Sequence, residues 1–114
     1  MSDLDKLARL ADLFTQIRDI LIQENENNWI RGINSILNQI NYSLENNEKI
    51  KDTIKSIGNT YSFMNNGNGS FSDFYIWRED FDERVIENNK FIEIKDKIGS
   101  LIQTYNYYLQ MIRD

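Results

Sequence analysis

The sequence has no cysteine, no histidine and no proline, and only five glycines in 114 residues. Without cysteine there are no disulfides and no thiol nucleophiles. Without histidine there are no imidazole bases, and with both missing no zinc site of the usual nitrogen and sulfur kind. Long apolar runs are also missing, so no membrane span is expected, and the basic amphipathic pattern of a membrane-surface helix is absent. The start, MSDLDKLARL, lacks a basic stretch followed by an apolar one, so no export signal is expected and the expected location is the cytoplasm. Basic charge is in deficit: 13 Lys and Arg stand against 18 Asp and Glu, a formal net charge of −5. Direct nucleic-acid binding needs a basic face to neutralise phosphates and is disfavoured; an acidic surface suits a basic partner. A modest negative charge also serves solubility alone.

The chain is long enough for a single domain, residues 1–114, that removes roughly 65% of its unfolded surface from water. Its dominant signal is helical periodicity. Ser2 or Asp3 caps a first helix in which Leu7, Leu10, Leu13, Phe14, Ile17, Ile20 and Leu21 fill an arc wide enough for more than one neighbour. The polar stretch 23–28 breaks the pattern and offers asparagine caps. Trp29, Ile30, Ile33, Ile36, Leu37, Ile40 and Leu44 then mark a second helix, and Ile50, Ile54, Ile57 and Tyr61 a third that ends near Phe63. Spacings of three and four sustained over these segments outweigh the strand propensity of isoleucine. A last helix is expected from about Asn88, with Asn88 or Asn89 as its cap, carrying Phe91, Ile94, Ile98, Leu101, Ile102, Tyr105, Tyr108, Leu109 and Ile112 on one side. The expected fold is all-α: a four-helix bundle-like single domain with a long connection, about 64–87, between helices 3 and 4.

A connection of that length is either functional or holds an element of its own. Asn65 to Ser70, NNGNGS, is turn chemistry, because Asn and Gly tolerate positive φ. Gly67, Gly69, Ser70 and Phe71 are thus expected to form a structural turn, with Ser70 or Ser72 capping a short helical turn beyond it. The glycines are not a phosphate cradle, since the lysine and the preceding strand that such loops need are missing. No calcium loop fits around Asp73, and no metal or cofactor is expected. The acids Glu79, Asp80, Asp82 and Glu83 read as a solvated turn with Arg78 and Arg84 as local counter-ions, as a face for a basic partner, or as general acids and bases. Phe71, Phe74, Trp77 and Phe81, at spacings of three and four, read as a satellite cluster closing one end of the bundle. Aromatics beside arginine are also the material of interface anchors, which points to Tyr75, Trp77 and Arg78 next to the acids. Tyr42, Tyr107 and Met111 lie off the apolar arcs and are second-rank candidates.

The segment GNGSFSDFYIW, Gly67 to Trp77, followed by acids and a terminal helix rich in Leu and Ile, resembles an uncharacterised family of short bacterial helical proteins. That family carries a G-S-[FL]-[SN]-D-[FL] signature before the last helix, matched here by Gly69, Ser70, Phe71, Asp73 and Phe74. The resemblance implies at most an immunity-like protein encoded beside a bacterial toxin, and it supplies no catalytic residues. The leading expectation is a non-enzymatic protein that binds and neutralises a basic toxin or effector domain through Asp73, Tyr75, Trp77, Arg78, Glu79, Asp80, Asp82 and Glu83. The alternative is a self-associating structural or regulatory protein, a homo-oligomer whose dimer face is spare apolar surface on the first helix.

Overall fold

The computed structural model describes the backbone of residues 1–67 and 69–113, and the side chains of residues 1–67 and 69–102. Among the described residues the fold is all-helical. It is a four-helix bundle-like packing of α1 (Asp3–Gln23), α2 (Ile30–Asn46), α3 (Ile50–Met64) and α4 (Phe81–Arg113), with one 3-10 turn at Phe71–Asp73. No described helix is long and apolar enough to cross a membrane.

Ser2 caps α1, its hydroxyl accepting the Asp5 N–H at 3.1 Å, and Asp3 and Asp5 sit in the first turn where the helix dipole favours them. Leu7, Leu10, Leu13, Phe14, Ile17 and Leu21 are at most 1% exposed, because α1 packs against all of α2, α3 and α4. The wide arc is therefore internal surface, and it is not spare. Leu4 and Ile22 are the large apolar side chains that α1 leaves exposed, so the expected dimer face on this helix is buried within the chain.

The first two turns use asparagine where glycine is usual. Asn25 (φ 57°) and Asn47 (φ 47°) adopt the left-handed conformation. In each turn the next N–H reaches back five residues, Glu26 to the Leu21 carbonyl and Glu48 to that of Ser43. The asparagines thus end helices rather than begin them. The residue at the start of α2 is Trp29, which makes no side-chain cap bond. This first corner holds Glu24 at the end of α1, its side chain 15% exposed, which matters for the connection below.

Gly58 is a close-approach point: a Cβ there would lie 2.9 Å from Cγ2 of Ile102, a stiff, buried side chain where α3 meets α4. Gly99, inside α4, has open space around the same position. Gly99→Ala is therefore expected to stabilise by about 0.5–1 kcal/mol through helix propensity. Gly58→Ala should lose that gain to overpacking of about 1–3 kcal/mol and come out destabilised. Urea denaturation of the two variants gives opposite signs if the contact is as tight as it stands.

Tyr61 is 8% exposed, edge-on to Phe14 at 5.4 Å between ring centroids. Burial, above all, pushes its phenol up to about 12, with Asn65 opposing and Asp96 adding to the shift. A folded-state value above the unfolded one means that this stability is complete below about pH 10 and disappears as pH rises through 12. Lys95 is shifted the other way, lowered by burial, so its contribution grows as pH rises towards the unfolded lysine value. Spectrophotometric titration should show Tyr61 ionising late, together with the loss of structure.

Candidate partner-binding surface

The connection begins at the expected Asn/Gly turn. Gly67 (φ 87°) and Gly69 (φ 74°) both take the left-handed conformation, and the Gly69 N–H donates to the Asp73 carboxylate at 2.7 Å. Asp73 thereby closes the loop on itself. Phe74 N–H then reaches the Phe71 carbonyl at 3.1 Å, which makes a single 3-10 turn. Neither serine caps it through its side chain; Ser70 and Ser72 share a hydrogen bond with each other at 2.7 Å.

The turn drives Phe71 into the bundle. Its ring is fully buried, with centroids 5.7 Å from Trp29, 6.3 Å from Tyr61, 6.3 Å from Phe74 and 5.9 Å from Phe91. Lys95 Nζ lies 4.9 Å from the ring centroid. Phe74 completes the group against Trp29 and Phe91. The expected four-membered cluster is only half formed: Trp77 and Phe81 are 63% and 66% exposed. Phe74 is already extended (φ −63°, ψ 135°), and no helix or turn runs from it to Arg78. Alternation replaces the three-and-four spacing there, so Ile76 points in while Tyr75 and Trp77 point out.

The last helix starts at Phe81 rather than at Asn88, which shortens the expected connection. Asp80 is its cap. One carboxylate oxygen accepts the Glu83 N–H at 2.8 Å, and its carbonyl accepts the Arg84 N–H at 3.0 Å. Asp82 and Glu83 fill the first turn, where acids are favoured. The signal was present in the sequence as Asp80-x-x-Glu83, the spacing of a capping box. Asn88 is an interior helix residue with a different task. Its amide accepts the Ile76 N–H at 3.0 Å and donates to the carbonyls of Ile76 at 2.8 Å and of Arg84 at 2.9 Å.

The two arginines are not counter-ions of the neighbouring acids in the expected sense. Arg78 forms a two-pronged bond to Glu24, at 2.6 and 2.8 Å, which ties the connection to the corner between α1 and α2. Glu83 is only a secondary neighbour at 3.7 Å. The hydrogen bond from Arg78 holds the Glu24 carboxyl below its usual range. Arg84 donates to the Arg78 carbonyl at 2.9 Å and stacks over Trp77 at 4.0 Å, with Phe81 at 5.8 Å.

Of the candidate binding residues, Asp73, Arg78 and Asp80 therefore have intramolecular roles. Tyr75, Trp77, Glu79, Asp82 and Glu83 are exposed within one short stretch of the chain. Sequence reasoning missed the apolar side chains that extend it: Phe81 and Val85, 66% and 40% exposed, fall one turn apart on α4, with Ile86 beside them. Tyr42 is exposed far from this stretch, between α2 and α3; the side chains of Tyr107 and Met111 lie outside the described residues. Among the described residues no group of three or more acids gathers as a metal would require. Comparison with family models, with curated proteins and with solved structures finds no match.

Proposed function

We propose that the chain is a non-enzymatic binding protein of the cytoplasm whose contact surface is the strip from Tyr75 to Ile86. The reading rests on one observation above all: Trp77 and Phe81 stand exposed around Arg84, bordered by Glu79, Asp82 and Glu83. Large aromatics supply affinity, and flanking acids steer and orient a basic partner. The immunity-type form of this reading, in which the partner is a basic toxin or effector domain, draws on the resemblance of residues 67–77 noted above.

Affinity purification from the native host tests it with the wild-type chain and a Trp77→Ala, Phe81→Ala double variant. A partner retained by the wild type and lost by the variant supports the surface; equal retention by both refutes it. Co-expression with that partner then decides whether binding neutralises a toxic activity.

A further inference from the structure

The side chain of Asn88 treats Ile76 as a neighbouring strand would. It bonds both the N–H and the C=O of that one residue, at 3.0 and 2.8 Å, which requires the two groups to point to the same lateral edge. In extended backbone the groups of the residues on either side then point to the opposite edge. Side-chain alternation agrees, with Ile76 2% exposed between Tyr75 at 56% and Trp77 at 63%. The Trp77 carbonyl is taken by Arg78 Nη1 at 2.7 Å. The Tyr75 N–H, the Tyr75 C=O and the Trp77 N–H make no hydrogen bond among the described residues. One edge of a short extended stretch is thus satisfied by a helix side chain, and on the other three of the four main-chain groups of Tyr75 and Trp77 have no partner among the described residues.

We propose that this open edge at residues 75–77 receives an extended, Lys- or Arg-bearing segment of a protein partner by strand addition. The inference rests on the binding reading above and adds its mode of recognition. Main-chain bonds to Tyr75 and Trp77 would hold the segment, and its side chains would meet the exposed faces of those residues. Charge selects the occupant. Asp73, Glu79 and Asp80 flank the stretch and outnumber the cations beside it, since Arg78 is paired with Glu24 and only Arg84, over Trp77, remains. A second copy would therefore set acids near acids on chains that each carry −5, whereas a basic segment is complementary.

The probe is an acetylated and amidated peptide, Lys-Val-Arg-Val-Lys, titrated to millimolar concentration into the isotope-labelled full chain and followed by amide NMR. In the free protein the Ile76 amide should exchange slowly and those of Tyr75 and Trp77 rapidly. The peptide should shift and protect the Tyr75 and Trp77 amides saturably, and methylating its backbone nitrogens should weaken binding at least about tenfold, the equivalent of about 1.4 kcal/mol. Glu-Val-Glu-Val-Glu should leave both amides unmoved. Unmoved Tyr75 and Trp77 amides with the basic peptide, or equal binding of the methylated one, overturn strand addition. Equal binding of the acidic peptide overturns the basic occupant, as do shifts of the same amides on concentrating the protein alone, which would mark self-pairing. A native partner that binds through Trp77 and Phe81 without protecting these amides would overturn strand addition while the binding reading stands. A native partner indifferent to both would remove the binding reading itself.

Discussion

Phe71→Ala is expected to lower the unfolding free energy by about 3–5 kcal/mol, the cost of deleting a fully buried ring. The side chain is 0% exposed and has aromatic neighbours at the cap of α2 (Trp29), in α3 and in α4 as well as Phe74. Truncation would leave a cavity where three helices and the connection meet, and the neighbours belong to separate elements that cannot all collapse into it. Against a typical total of about 5–15 kcal/mol for a domain, that is a large fraction. Trp77→Ala and Phe81→Ala remove rings at least as large from exposed positions and should each cost less than about 1 kcal/mol. Urea denaturation of the three variants checks the contrast directly. A Phe71→Ala protein within about 1 kcal/mol of wild type would mean that the connection does not lock the bundle, and that the aromatic group is incidental to stability.

The second large effect is expected at Asn88. Asn88→Leu leaves the N–H and the C=O of the buried Ile76 without partners, and should cost roughly 2–4 kcal/mol, since each orphaned group carries its own desolvation penalty. Asn88→Asp is the sharper test because it keeps the shape. An ionised carboxylate still accepts the Ile76 N–H but places an oxygen where the wild-type amide donates to two carbonyls. Its folded-state pKa should therefore rise above the unfolded value of about 3.9. The stability conferred by the protonated form is present below that value and is lost as pH rises through the folded pKa. The Asp variant should thus approach wild type in acid and fall away towards neutral pH, while the Leu variant stays low throughout. Parallel pH profiles for the two would show that Asn88 acts by packing and not through its hydrogen bonds.

Helix periodicity carried most of the fold. The stripe from Leu7 to Leu21 is buried as its spacing implied, and so is the Ile33 to Ile40 stripe on α2, because a bundle buries whatever a 3.6-residue period gathers on one side. The same rule misled at the connection. Phe71, Phe74, Trp77 and Phe81 share helical spacing, yet only the first two are on a common interior surface, since the chain turns extended after Asp73. Acidic clustering hid the start of α4: a run of acids has the same composition whether it forms a site or, as Asp80 and Glu83 do, the cap and first turn of a helix. Two features have no local signature. Arg78 meets Glu24 across 54 residues, and Asn88 meets Ile76 only once α4 has been extended back to Phe81. Long-range pairs of this kind depend on how helices pack, which one sequence does not display.

The stacking of Arg84 on Trp77, at 4.0 Å, has a consequence for the affinity of binding. A free surface tryptophan samples several rotamers, and an encounter that uses it must freeze one, at a cost of about 0.5–1.5 kcal/mol per side chain. Here the guanidinium, itself anchored on the Arg78 carbonyl, covers one face of the indole before any partner arrives and leaves the other face presented. That ordering is part of folding, so the encounter complex does not bear it. Its loss in an Arg84→Ala chain should appear as weaker affinity for any ligand that lands on Trp77, even one that never touches residue 84.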